Sequence, residues 1–62
     1  MFTQLKFVRL GQGIKLMDLA KKAKISPSLL SKIENGKFKG SEKARARIAE
    51  IFDVAPEILF GK

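Results

Sequence analysis

Apolar residues along this chain recur at three- and four-residue intervals, and short polar or glycine-containing segments interrupt the rhythm. That period predicts helices rather than strands. Residues 2–10 form the first, with Phe2, Leu5, Val8 and Arg9 on one side and Gly11-Gln12-Gly13 ending it. The second covers about 15–23, where Leu16, Leu19, Ala20 and Ala23 make one buried stripe. Lys24-Ile25-Ser26 is a tight turn with Ile25 as an apolar plug. A third helix, 27–34, is announced by Ser26, whose hydroxyl can cap a free amide, and by Pro27, which has no amide to cap. Asn35-Gly36 stops it and Lys37-Phe38-Lys39-Gly40 is a basic loop. Ser41 caps a fourth helix that ends near Phe52, with Ala44, Ile48, Ile51 and Phe52 facing inward. After a turn at 53–55, Pro56 and Glu57 open one last short turn carrying Ile58, Leu59 and Phe60.

With 62 residues the chain makes one domain, spanning 1–62, that buries only about 60% of its unfolded surface. It has no cysteine and no histidine, hence no disulfide, no thiolate metal site and no imidazole for base catalysis near neutral pH. No metal or other cofactor is expected. No apolar run approaches the roughly 20 residues that span a bilayer, and the first ten residues lack the apolar block of a signal peptide. These features predict a soluble cytoplasmic protein with no membrane partner.

The charge is concentrated. Between positions 21 and 47, nine basic residues (Lys21, Lys22, Lys24, Lys32, Lys37, Lys39, Lys43, Arg45 and Arg47) stand against two acids, Glu34 and Glu42. This stretch therefore carries the whole formal net charge of +7. A solvated face would use lysines the same way, and an anionic membrane would also attract them; a phosphate-lined partner is the more specific reading.

On the third helix Leu30 and Ile33 must face the core. At 100° per residue the opposite side then carries Ser28, Ser31, Lys32 and Asn35, with Leu29 on the flank. Such a face suits the major groove of B-DNA, where hydroxyls and amides bond base edges and an apolar tip meets a thymine methyl. Taken alone, four polar residues are better read as an ordinary solvated helix surface.

The run Leu19-Ala20, Ile25-Ser26 and Ser31-Lys32-Ile33-Glu34-Asn35-Gly36-Lys37 resembles the Cro/repressor-type helix-turn-helix family, also called XRE, whose pattern ends in S-[RK]-I-E-N-G-[KR]. Leu5, Val8 and Arg9 match its first helix, Ile48-Ala49 and Phe52 its fourth, and Val54 and Leu59 its fifth. The resemblance implies an all-α, compact five-helix, lambda-repressor-like domain whose second and third helices form the helix-turn-helix. It also implies double-stranded DNA as partner, read by the third helix in the major groove, with the protein a homodimer at least on DNA. Carried over by position, Pro27, Ser28, Leu29, Ser31 and Lys32 face bases, while Lys15, Asn35, Lys37 and Lys39 meet phosphates. Arg9 and Glu34 become a structural ion pair. Ile58, Leu59 and Phe60 either form the dimer interface or close the core; both readings stay open at this point.

Four positions depart from the family pattern. Lys15 and Leu16 stand where a Thr cap and a phosphate-reaching Gln are usual, Lys24 replaces the common turn glycine, and Arg45 occupies an apolar position. Lys24 would store strain if left-handed. Arg45 would lay its stem on the core and direct its charge outward. The missing Gln leaves a second reading: a protein-interaction module, such as an antitoxin or anti-repressor subunit, with weak non-specific DNA binding and an exposed apolar patch around Phe7, Leu10 or Phe60. Catalysis is not expected, because no nucleophile–base pair or metal cluster is present and Gly11-Gln12-Gly13 lacks the context of a dinucleotide site. Nor is a small-molecule ligand. The leading reading is a small phage- or mobile-element-type repressor, or a Cro-like protein, on a palindromic operator.

Overall fold

The computed structural model describes residues 4–61, which fold into five helices: α1 (Gln4–Gly11), α2 (Leu16–Ala23), α3 (Pro27–Glu34), α4 (Glu42–Phe52) and α5 (Pro56–Phe60). No strand occurs among the described residues. Phe2, expected at the start of the first helix, lies outside them.

Two start signals act as their chemistry requires. Ser26 Oγ accepts a hydrogen bond from the Leu29 amide at 3.1 Å, and Ser41 Oγ accepts one from Ala44 at 3.1 Å. The α2 start is plainer: Lys15 holds the extended cap conformation without a side-chain hydrogen bond.

The first four helices close by one device. In each, the amide of a positive-φ residue bonds the carbonyl three positions back, and the next amide bonds the carbonyl five back. The pairs are Gly13→Leu10 and Ile14→Arg9, Lys24→Lys21 and Ile25→Ala20, Gly36→Ile33 and Lys37→Lys32, and Asp53→Glu50 and Val54→Ala49. This motif favours an apolar residue just after the left-handed one. Ile14, Ile25 and Val54 fill that position after α1, α2 and α4 and pack on the core. After α3 the position holds Lys37, which is exposed. At Lys24, φ 60° and ψ 41° put a residue with a Cβ where glycine would be unstrained.

Every helix sends a fully buried side chain inward: Leu5 from α1, Leu19 from α2, Leu30 and Ile33 from α3, Ile48 from α4 and Leu59 from α5. Ala20, Ala23, Ala44 and Ala49 let the backbones approach closely. Ala49 lies beside the expected α4 stripe and is as buried as its members, whereas Ile51 and Leu16 are only half-buried at the core edge. α2 packs on α3 and α4, α1 on α3 and α5, and α4 on α5. Leu59, left open between an interface and the core, is 1% exposed and lies in the core. Ile58, beside it, is 57% exposed and Phe60 is half-buried.

Candidate nucleic-acid interface

α3 is held from behind before it offers anything in front. Leu30 and Ile33 anchor its inner side in the core. Its last residue, Glu34, is 2% exposed and is gripped by Arg9 through two parallel hydrogen bonds, Nε to Oε2 at 2.5 Å and Nη2 to Oε1 at 3.1 Å. Arg9 Nη1 also donates to the Ile14 carbonyl at 2.7 Å, so one guanidinium ties α1, the turn after it and the end of α3 together. A carboxylate at a helix C-terminus opposes the helix dipole. The bidentate arginine supplies the compensating charge, and among the described residues no buried side-chain polar atom lacks a partner.

The outer side of α3 carries the residues singled out from the sequence. Pro27, Ser28 and Lys32 are exposed, while Leu29 and Ser31 are half-buried along the flanks. Asn35, the residue after α3, is half-buried and engaged: its Nδ2 lies 3.5 Å from Ser31 Oγ, and Lys6 Nζ lies 3.5 Å from its Oδ1. Lys6 is thus a cation of α1 drawn to the C-terminal end of α3. Its place on the helical wheel of the first helix gives no hint of this, because the approach depends on how α1 crosses α3. Lys15, at the α2 start, and Lys37 and Lys39, past the α3 end, are all exposed.

The loop between α3 and α4 is braced. Lys37 and Phe38 amides both donate to the Lys32 carbonyl, at 2.9 and 3.3 Å. Arg45 Nη1 donates to the Gly40 carbonyl at 2.6 Å and the Lys39 carbonyl at 3.3 Å. Gly40 has φ +80°, and a Cβ there would come within 3.0 Å of Ile33 Cδ1. The backbone conformation favours glycine at this point, and a Cβ would also crowd the Ile33 side chain. Arg45, read from the sequence as a stem on the core with an outward charge, is instead a clamp on this loop. Arg47 has a similar task, donating from Nε to the Ala23 carbonyl at the α2 end at 2.9 Å. Neither task is visible in a sequence, since each links segments through a carbonyl that any residue would provide.

The arrangement therefore sets a rigid helix with small polar groups and one long cation outward, between a lysine at the start of α2 and a braced loop with two more. Its chemistry is that of an anion-tolerant, hydrogen-bonding helix face. No helix of the described residues is long and apolar enough to cross a membrane. In comparison with known proteins, a family model described as a helix-turn-helix domain matches residues 3–62. No curated protein matches the chain.

Proposed function

The chain belongs to the helix-turn-helix domain family of the Cro/repressor type, and from that premise we propose that it is a sequence-specific regulator of transcription that sets α3 into the major groove of a palindromic operator. Domains of this family are typically DNA-binding and non-enzymatic. The observation that carries the finer reading is the outer face of α3, where Ser28 and Lys32 are exposed on a helix locked from behind by Glu34 and Arg9. Ser28 and Lys32 read base edges, with Pro27, Leu29 and Ser31 shaping the fit. Lys15, Lys37 and Lys39 take phosphates, and Asn35 is positioned at the same end. Phosphate contacts set register while base contacts set sequence.

Two copies act together in this proposal. Half-sites of such operators lie about 34–36 Å apart. The molecule extends 25 × 22 × 21 Å, so two touching copies are of the size that spans adjacent half-sites. Ile58 of α5 is exposed and Phe60 half-buried, which suits a two-fold axis near α5 with Ile58 and the edge of Phe60 at the contact. Regulation follows from concentration, proteolysis or a partner, in the manner of a small phage- or mobile-element-type repressor or Cro-like protein.

One observation favours a second reading. Phe7 and Leu10 on α1 are both more than half exposed, and Leu16 occupies the place of the family's phosphate-reaching Gln. A protein-interaction module would use such a surface and bind DNA weakly at any sequence.

Selection from a random duplex pool at two salt concentrations separates the two, because non-specific binding is almost wholly electrostatic and collapses as salt rises. Enrichment of a two-fold-related motif with half-sites one helical turn apart is the result expected. Binding without enrichment, fading with salt, would point to a protein partner.

A further inference from the structure

Phe38 is an apolar side chain in the wrong place for the core. After α1, α2 and α4 the residue following the left-handed one is Ile14, Ile25 or Val54, and each turns inward. After α3 that position is Lys37, the apolar residue comes one place later, and it stays 50% exposed. Its backbone is nevertheless fixed, since the Phe38 amide is bonded to the Lys32 carbonyl within the braced loop.

What surrounds it says what would dock there. Leu29, Lys32, Lys37 and Phe38 together line an open concavity of about 450 Å³ on the outer side of α3. Leu29 and Lys32 are one helical step apart, and the loop brings Phe38 and Lys37 up beside them. Two apolar walls and two cations form a notch that suits an apolar group attached to a polyanion. In the major groove that group is the 5-methyl of thymine, the one apolar feature on any base edge there. A free apolar peptide segment would leave Lys32 and Lys37 facing no charge.

We infer that Phe38 is a specificity-determining residue, forming with Leu29 a notch that takes a thymine 5-methyl group in the operator half-site while Lys37 holds a neighbouring phosphate. The inference rests on the DNA-reading role of α3 proposed above and adds to it a residue from the loop and a named base feature. Deletion of the methyl, by placing deoxyuridine for thymidine, removes the apolar contact and leaves the base pair's hydrogen bonds intact. Burial of one such group corresponds to about a 4-fold change in affinity per half-site.

The test takes the duplex recovered by pool selection, replaces each thymidine of one half-site by deoxyuridine in turn, and measures binding to the unaltered protein, to Phe38→Ala and to Phe38→Leu. Thermal unfolding checks that both variants keep the fold. One position is expected at which deoxyuridine weakens the unaltered protein about 4-fold, Phe38→Leu by a smaller factor and Phe38→Ala hardly at all. Equal sensitivity to deoxyuridine in all three proteins would overturn the notch, as would no sensitivity at any position. Uniform weakening of Phe38→Ala on every duplex would also overturn it, placing Phe38 on the sugar-phosphate backbone instead. If selection enriches no sequence, the operator-binding reading itself fails and the notch falls with it; an operator without methyl coupling to Phe38 overturns the notch alone.

Discussion

Arg9 and Glu34 are buried together, and breaking such a pair strands a charge in the interior at a cost of about 3 to 5 kcal/mol. For a chain this short that is a large share of total stability, so Arg9→Ala is expected to lower the urea midpoint severely or abolish folding. A double replacement by apolar residues of similar size, Arg9→Met with Glu34→Leu, is expected to recover much of that loss, because no charge is left unpaired. Lys24 presents the opposite case. Its left-handed backbone stores strain that glycine would not, so Lys24→Gly is expected to stabilise by up to about 1 kcal/mol. At this size that corresponds to a rise in the thermal midpoint of about 4 to 8 °C, readable by circular dichroism. Sequence alone shows Lys24 in a turn; that its φ is positive follows from the Ile25 amide reaching back to Ala20 and the Ile25 side chain packing on the core.

At the scale of the element, α3 divides its work between the helix and the loop that follows. Lys32→Ala and Ser28→Ala remove side chains from the exposed face without touching the core. Each is expected to leave the melting curve unchanged and to cost about 1 to 3 kcal/mol of binding to the preferred site, with relaxed discrimination at one base pair. Lys37→Ala is expected to weaken binding to all sequences alike and to reduce the slope of log affinity against log salt by about 1. Equal loss on every sequence for Lys32→Ala would move Lys32 to the phosphate class. The helix itself was legible: Ser26, Pro27 and Gly36 bound it, and the spacing of Leu30 and Ile33 orients it. The loop was legible only as basic. Its bracing by Arg45 and the fit of Gly40 against Ile33 join residues whose types carry no such message.

For the whole molecule, the proposed pairing of two copies through α5 makes its own prediction. Ile58 is exposed beside the buried Leu59, on the helix that packs away from α2. Ile58→Asp is expected to leave the monomer fold and binding to an isolated half-site intact, while lowering affinity for the two-half-site operator by about 10-fold or more, since the second half-site is then no longer engaged as part of one unit. Comparing the two duplexes by fluorescence anisotropy checks this. No change on either would move the interface away from α5.

Periodicity, caps and turn residues by themselves determined the first four helices and a short closing turn at Pro56, and which side of α3 is spent on the core; the fifth helix as such came from the family resemblance. The former are local matters, decided within a few residues by hydrogen bonding, backbone preference and the 3.6-residue repeat. Composition determined the sign of the charge and where along the chain it gathers. The seven-residue run at the end of α3 pointed to the family. Only the tertiary structure decided that Leu59 seals the core while Ile58 stays out, that Lys6 approaches Asn35, and that Arg45 and Arg47 grip backbone carbonyls of other segments. Only it set Phe38 beside Leu29 and Lys32. Each of these depends on the relative placement of helices, which is a property of how all the side chains fill one core together and is written in no single stretch of the chain.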